Sequence, residues 1–187
     1  MRALLAAFAL ALPAAAATPQ FELQAGGFHG LDFDLDPAAA EVAVRAGVDL
    51  ADRLTFGVRA AGILGSSVPE PQSPFALSPG VRGWQALVEA RVHSSGVVQA
   101  SAAAGIGIAQ LSTWQVNRSE TAALHGDPAF TWRLALGLRF GDEVAASIEG
   151  AISQFRGLRP AAVPGQFQEQ PSPVTALSIL AGIAFRI

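Results

Sequence analysis

The sequence predicts an all-β protein with a single domain, an eight-stranded antiparallel up-and-down transmembrane β-barrel, and three observations lead to this fold class. Eight segments alternate apolar and polar residues with the period of two that is typical of a β-strand. Long and short connections alternate strictly between these segments. The charged residues of the segments all lie on one side of the extended chain. We place the eight strands at residues 20–30, 40–50, 54–64, 83–93, 97–111, 128–140, 144–155 and 174–187.

The first four predicted strands each present one apolar side. The second and third strands are joined by the tight turn Ala51-Asp52-Arg53. Residues 31–39, which are acidic, and residues 65–82, which contain four prolines, form long connections. The apolar sides are, in chain order, Phe21, Leu23, Ala25 and Gly27, then Val42, Val44, Ala46, Val48 and Leu50, then Leu54, Phe56, Val58, Ala60 and Gly62, and then Trp84, Ala86, Val88, Ala90 and Val92.

The last four predicted strands repeat this pattern. The fifth is rich in alanine, and a helix is its alternative by propensity, but Gly105, Gly107 and the β-branched Val and Ile residues favour a strand. The connections are, in order, the tight turn 94–96, the long loop 112–127, the tight turn 141–143 and the long loop 156–173. The apolar sides are Val98, Ala100, Ala102, Ala104, Ile106 and Ile108, then Phe130, Trp132, Leu134, Leu136, Leu138 and Phe140, then Val144, Ala146, Ile148, Gly150 and Ile152, and then Leu177, Ile179, Ala181, Ile183, Phe185 and Ile187.

Charge decides which side of each strand faces lipid. None of the apolar sides carries Asp, Glu or Arg, and a basic residue facing hydrocarbon at mid-membrane costs about 2–4 kcal/mol. A sheet in hydrocarbon must also close, because every backbone N–H and C=O needs a partner within the protein. We therefore expect the opposite sides to line a lumen. They carry eleven charged residues: Glu22, Glu41, Arg45, Asp49, Arg59, Glu89, Arg91, Arg133, Arg139, Glu149 and Arg186.

Residues 1–17 predict a cleaved signal peptide, and residues 18–187 then form a single barrel domain. Arg2 provides a short positive region, residues 3–12 are apolar, and the alanines before Thr18 fit an A-x-A cleavage site. A membrane-anchoring helix is the alternative, but the apolar run is shorter than the ~20 residues that a span requires.

Composition excludes several classes of function. The sequence has no cysteine, which removes disulfides, thiolate chemistry and cysteine-ligated metals. The net charge is −3, so no basic face indicates a nucleic-acid partner. A soluble β-sandwich is the alternative fold. Such a sandwich also alternates, but it rarely combines this with a signal peptide, strictly alternating connection lengths and a last strand that ends on the chain terminus.

The lumen residues predict a charge network. Arg45 and Arg59 lie at equal distances from the turn at residue 52, so two like charges meet and need an acid between them. Glu89 lies at about the same height on the next strand, and Arg133 and Glu149 are near-opposite across the turn at residue 142. We predict that these five residues plug the lumen. The alternative is a set of independent charges separated by water.

Motifs that could carry chemistry are weak. Asp32, Asp34 and Asp36 are spaced like the start of a calcium loop, but the glycine and glutamate that such a loop requires are absent. His93 and Ser95 have the His-x-Ser spacing of eight-stranded lipid A deacylases, but they lie at a tight turn on the periplasmic side. We therefore expect no enzyme activity, no catalytic residue, no cofactor and no metal site.

Five aromatic residues are candidate anchors at the membrane interfaces, where tryptophan is enriched. The sequence has no tyrosine, which makes any aromatic girdle thin. The candidates are Trp84, Trp114, Phe130, Trp132 and Phe140.

From residue 18 to its end the chain resembles the small eight-stranded outer-membrane β-barrel proteins of the OmpA/OmpX type. The most family-like motif is the terminal assembly signal, in which Gly182, Phe185 and Ile187 occupy the family positions. Leu180 departs from the polar residue of that motif, and Ile187 departs from its final aromatic residue.

This resemblance implies the outer membrane of a Gram-negative-type bacterium, with insertion by the barrel-assembly machinery and contact with outer-membrane lipid and lipopolysaccharide. It implies a monomer with a structural or surface-interaction role, in adhesion or envelope stability, through four long extracellular loops. A narrow low-conductance channel and a lipid-modifying outer-membrane enzyme are the alternatives.

Overall fold

The computed structural model describes residues 18–31, 38–51, 53–65, 80–116, 121–124, 127–159 and 170–187. Nine strands lie within these residues and form one antiparallel sheet. Within the same residues, no helix is long and apolar enough to cross a membrane. The strands are β1 (Thr18–Gly30), β2 (Ala38–Ala51), β3 (Leu54–Leu64), β4 (Gly80–His93), β5 (Val98–Val116), β6 (Thr121–Leu124), β7 (Ala129–Phe140), β8 (Val144–Arg159) and β9 (Gln170–Arg186).

Eight of these strands close into a barrel. β1 pairs with both β2 and β9, and β5 pairs with both β4 and β7. The sheet of eight strands therefore has no open edge. β6 lies outside this closed sheet and pairs with the last residues of β5. The predicted eight-stranded antiparallel barrel is confirmed.

The closed sheet is staggered by ten residues. Pairing partners followed once around the barrel lead from Gln20 to Gly30 on the same strand, and 30 − 20 = 10. Because stagger, strand number and tilt are linked, the strands lean by about 40° from the barrel axis. The path runs through Gly47, Gly57, Glu89, Gly105, Arg133, Ser153 and Ala176.

The two ends of the barrel differ. One end, here called the turn end, holds the tight turns at residues 94–97 and 141–143. Gly96 and Gly141 adopt φ values of 114° and 116° there, which only glycine reaches without strain. The opposite end, here called the loop end, holds the long connections.

The strands extend further at the loop end than the alternation predicts. β4 begins at Gly80 rather than residue 83, β8 reaches Arg159 rather than residue 155, and β9 begins at Gln170 rather than residue 174. The predicted loop 112–127 is partly wrong as well, because β5 continues into it and pairs with β6. The alternation did not predict these extensions because they contain polar residues, and a strand outside hydrocarbon need not keep an apolar outward side.

The two faces of the sheet follow the predicted alternation. Side chains on the outer face are exposed, and Leu136 is 71% exposed at mid-strand. The eleven charged residues predicted to line the lumen face it, and Arg59 and Arg133 are each 1% exposed there. An apolar surface of this extent is unfavourable in water, and in a membrane barrel it is covered by lipid.

Leu136→Arg tests the lipid-facing assignment. We expect the substitution to lower the free energy of unfolding in lipid vesicles by about 2–4 kcal/mol, because it places a guanidinium in hydrocarbon. Denaturant titration, read as the mobility difference between unboiled and boiled samples on a gel, measures this change. Glu143→Arg, in an exposed turn, is the matched control and should change it by less than about 0.5 kcal/mol. Equal effects of the two substitutions would contradict the assignment.

Candidate functional site

A network of three glutamates and three arginines fills the middle of the lumen. The six side chains are between 1% and 11% exposed. Equal numbers of acids and bases make the network neutral, as burial of charge requires. This charge network consists of Glu22, Arg45, Glu89, Arg91, Arg133 and Glu149.

Arg45 lies at the centre of the charge network and contacts all three acids. Its Nη1 lies 2.5 Å from Glu22 Oε2, and its Nε lies 2.7 Å from Glu89 Oε2. Its Nη2 lies 3.2 Å from Glu149 Oε2. The planar guanidinium offers five N–H donors in a fixed fork, so one arginine can bind three carboxylates from three strands.

Arg91 and Arg133 complete the charge network. Arg91 Nη1 lies 3.1 Å from Glu22 Oε2, and its Nη2 lies 2.5 Å from Glu149 Oε2. Arg133 Nη2 lies 2.6 Å from Glu149 Oε1, and its Nη1 lies 3.4 Å from Glu89 Oε1. Every acid therefore contacts at least two arginines, and Glu149 contacts all three.

A second buried pair lies nearer the loop end. Arg59 donates a hydrogen bond to Glu41, and Ser178 Oγ donates to the other Glu41 oxygen at 2.5 Å. Arg59 Nη1 also donates to Gln85 Oε1 at 3.0 Å, and Gln85 Nε2 donates to Thr131 Oγ1 at 3.1 Å. These bonds join strands on opposite sides of the lumen.

A third cluster of polar side chains lies in the lumen at the turn end. Asp49 accepts hydrogen bonds from Gln20 and from Thr55 Oγ1, the latter at 2.6 Å. Arg186 Nη2 lies 2.9 Å from Asp49, which joins the last strand to β2. Arg139 donates to Gln20 Oε1 at 2.9 Å.

The lumen at the loop end is apolar. Nine inward-facing residues form a contiguous buried cluster, here called the apolar cap. Phe28 and Phe155 meet edge to face inside it, with ring centroids 5.7 Å apart. Its members are at most 9% exposed, so water is excluded from this part of the lumen. The apolar cap consists of Phe28, Ala39, Ile63, Val81, Ala109, Leu111, Phe155, Val174 and Ala176.

Solved structures show the same architecture. Neisserial surface protein A matches with a TM-score of 0.67 and 11% identity, over 92% of this chain and 99% of that one. A major outer membrane protein from Thermus thermophilus matches with a TM-score of 0.53 and 14% identity, over 90% and 99%. The chain has the fold of the small eight-stranded outer-membrane β-barrels. The outer membrane enzyme PagL also matches, with a TM-score of 0.51 and 13% identity over 87% and 97%.

Sequence comparison adds nothing to this fold assignment. No family model and no curated protein matches the sequence. At identities of 11–14% the solved structures show the outer-membrane barrel fold alone.

The structure brings four of the five predicted network residues into contact. Arg45, Glu89, Arg133 and Glu149 are joined by ion pairs, whereas Arg59 lies opposite Arg45 and bonds to Glu41 instead. Glu89 contacts Arg45 and Arg133, and among the described residues no ion pair joins it to Arg59. Arg133 and Glu149 are not directly opposite either, although their side chains meet.

Two members of the charge network and the apolar cap were not predicted. Glu22 is the pairing partner of Arg45, but a long connection separates β1 from β2, and such connections hide register in the sequence. The sequence did contain a signal for the apolar cap, because the inward positions near the loop end carry apolar residues such as Phe28, Ile63 and Phe155 in place of charged ones.

The other residues singled out in the sequence take separate places. Gly182 faces the lumen, and a Cβ there would lie 2.4 Å from the Leu23 carbonyl oxygen, so only glycine fits this seam of the barrel. Phe185 and Ile187 face outward and are 45% and 76% exposed. His93 faces the lumen with Nε2 4.0 Å from Asp49 Oδ1.

Several predictions fall on residues outside the described part of the chain. These are the signal peptide at residues 1–17, the acidic motif of Asp32, Asp34 and Asp36, and the side chain of Trp114. Ser95, in contrast, is described and lies in an exposed turn. Among the described residues, no group of three or more His, Asp or Glu side chains is placed to hold a metal ion.

Two of the predicted aromatic anchors form matching pairs on the outer surface. Trp84 Nε1 donates to Gln110 Oε1 at 2.8 Å, and Trp132 Nε1 donates to Gln154 Oε1 at 2.8 Å. In both pairs the two residues are directly opposite on adjacent strands. Each indole N–H is thereby satisfied on the outer surface of the barrel.

Glu149→Gln tests the charge network. We expect a loss of about 3–5 kcal/mol in the free energy of unfolding, because three buried arginines would share only two acids. Denaturant titration in vesicles measures this loss. Glu143→Gln removes an exposed carboxylate and should be close to neutral. A Glu149→Gln barrel as stable as the Glu143→Gln barrel would show that the network does not hold the lumen together.

Proposed function

We propose that this protein is a non-conducting outer-membrane barrel with a structural or surface-interaction role, in adhesion or envelope stability. The observation that carries the proposal is the filled lumen, with the charge network at its middle and the apolar cap at the loop end. The four long connections at the loop end are the part that remains to meet other molecules.

The filled lumen argues against transport. A permeating ion would have to separate ion pairs that are almost completely buried, and each separated charge would be costly to leave unpaired. It would then have to cross the apolar cap, where no charged side chain replaces its hydration shell. A small cavity beside the charge network, lined by Glu22, Arg45 and Glu89 among others, measures about 20 Å³ and has room for about one water molecule.

The proposed setting is the outer membrane of a Gram-negative-type bacterium. The apolar outer face, the fold shared with outer-membrane proteins and the predicted signal peptide support export and insertion by the barrel-assembly machinery. In this setting the turn end faces the periplasm and the loop end faces outward, since such barrels have short periplasmic turns and long extracellular loops. The barrel acts as a monomer in contact with lipid and lipopolysaccharide.

The proposal assigns no catalytic role to this barrel. His93 faces Asp49 inside the lumen at the turn end, whereas Ser95 is exposed in the turn. In the proposed orientation both residues lie on the periplasmic side, away from the outer leaflet. Lipid A mass spectra with and without the gene test this assignment, and a difference in acylation would contradict it.

Planar-bilayer recording tests the closed lumen. We expect no steady conductance from the wild type and brief openings at most from Glu89→Ala, because the apolar cap still seals the lumen. Adding Phe28→Ala to Glu89→Ala opens both seals and should produce steady conductance. Glu143→Ala is the control and should stay closed. Large steady conductance in the wild type would contradict the proposal.

The last strand provides a test of assembly. Phe185→Asp, or loss of residues 185–187, should leave the protein in the periplasm or degraded, because the assembly signal and the seam with β1 are both damaged. Cell fractionation with the heat-dependent gel shift measures insertion. Ile187→Phe, which supplies the missing aromatic, should insert at least as well as the wild type. Normal insertion of both damaged variants would refute the assembly role of this strand.

A further inference from the structure

The longer strands place two arginines on the outer surface of the barrel. Arg82 on β4 and Arg156 on β8 are exposed, whereas Val81 and Phe155 beside them are buried in the apolar cap. Among the strand residues whose side chains the structure describes, these are the only Arg, Asp or Glu side chains that face outward. The rest of the outer face is apolar or uncharged, so this exception needs a physical reason.

Each arginine stands beside one of the tryptophan–glutamine pairs. Arg82 precedes Trp84 by two residues on β4, and Arg156 follows Gln154 by two residues on β8. On a strand, residues two apart share a face, so each arginine is next to its pair on the outer surface. The barrel therefore twice places an arginine beside a Trp–Gln pair, on the strand of the tryptophan in β4 and on the strand of the glutamine in β8.

The two arrangements lie at the same height. β4, β5, β7 and β8 are consecutive around the barrel, so three strand steps separate Arg82 from Arg156. Because the stagger is ten residues over eight strands, the path of pairing partners rises toward the loop end by about four residues in three strand steps. Continuing the registers of the three strand pairs takes position 82 to 112, 126 and 160, the last being one position past the end of β8 at Arg159, and four residues from there toward the turn end is Arg156.

This height is the boundary of the hydrocarbon. Eight residues separate Val92 at the turn end from Trp84, about 27 Å along the strand and about 20 Å along the tilted barrel axis. The apolar band of such barrels is about 25 Å tall, so Arg82 and Arg156 lie just beyond it. At the turn end the corresponding outward residues are apolar, among them Phe140 and Phe185.

The chemistry of the arrangement fits a phosphate group. A guanidinium binds a phosphate at two points, and tryptophan suits the level where sugar and acyl chain meet. Among the described residues, neither arginine forms an ion pair. Among the described residues at the loop end, one carboxylate lies outside the lumen, that of Asp127, which is exposed just before β7. The positive charge therefore faces the headgroups of the leaflet at the loop end.

We propose that Arg82 and Arg156 each bind a phosphate of a phosphorylated glycolipid in the outer leaflet, with Trp84 and Trp132 packing against the adjoining sugar and acyl chains. This inference rests on the proposed outer-membrane setting, because only that setting places such a lipid at the loop end. The two sites hold the barrel at a fixed height and orientation in the leaflet.

Binding of bisphosphorylated lipid A to the purified barrel in uncharged micelles tests the two sites, with tryptophan fluorescence as the readout. We expect Arg82→Gln and Arg156→Gln each to weaken binding, and the double variant to weaken it about tenfold or more. Arg53→Gln removes an exposed arginine at the turn end and should leave affinity unchanged within about twofold. Unchanged affinity in the double variant, or an equal loss in Arg53→Gln, would overturn the proposal.

Two further ligands identify the source of the phosphate. Dephosphorylated lipid A should bind the wild type as weakly as lipid A binds the double variant. Inorganic phosphate alone should compete poorly, and competition as strong as that of lipid A would show a free-phosphate site instead. Cell fractionation separates this inference from the proposed function: a barrel found in the outer membrane whose double variant binds lipid A normally refutes only the two sites.

Discussion

Hydrocarbon offers no hydrogen-bond partner to a peptide group, and the rest of this structure depends on that constraint. The sheet must close, and it does so where β1 pairs with β9 along the seam that Gly182 allows. Once the sheet is closed, the period of two assigns every strand residue to lipid or to the lumen. The ten-residue stagger then decides which lumen side chains meet, because it tilts the strands and brings distant positions to one level.

Eight strands leave a lumen just wide enough to be filled by side chains, and this chain fills it in two ways. Within the membrane, where the outer face is apolar, the lumen is charged and neutralised by arginine pairs such as Arg45 with Glu89. At the loop end the pattern inverts: Val81 and Phe155 point inward, and Arg82 and Arg156 point outward. This inversion is expected where water surrounds the barrel, because a strand beyond the membrane buries its apolar residues and exposes its charged ones, as in a soluble protein.

Period-two alternation and the segregation of charge were enough to predict the fold, the order of the eight barrel strands and the faces that they present. The strand ends at the loop end were not readable, because polar residues there are compatible with both loop and strand. Short turns revealed the register of Arg45 and Arg59, whereas the long connection before β2 concealed that of Glu22 with Arg45. Contacts across the lumen depend on the stagger, which no local pattern encodes, so Arg91 and the pairing of Arg59 with Glu41 were missed.

The central claim is that no continuous water path runs through the lumen, and the absence of cysteine makes it directly measurable. A single thiol introduced by Ile63→Cys would lie in the apolar cap, whereas one introduced by Glu143→Cys would lie in an exposed turn. The measurement is the rate at which a charged, water-soluble thiol reagent labels each variant in lipid vesicles open to the reagent on both sides. The filled lumen predicts rapid labelling at position 143 and almost none at position 63. Comparable rates at the two positions would contradict it.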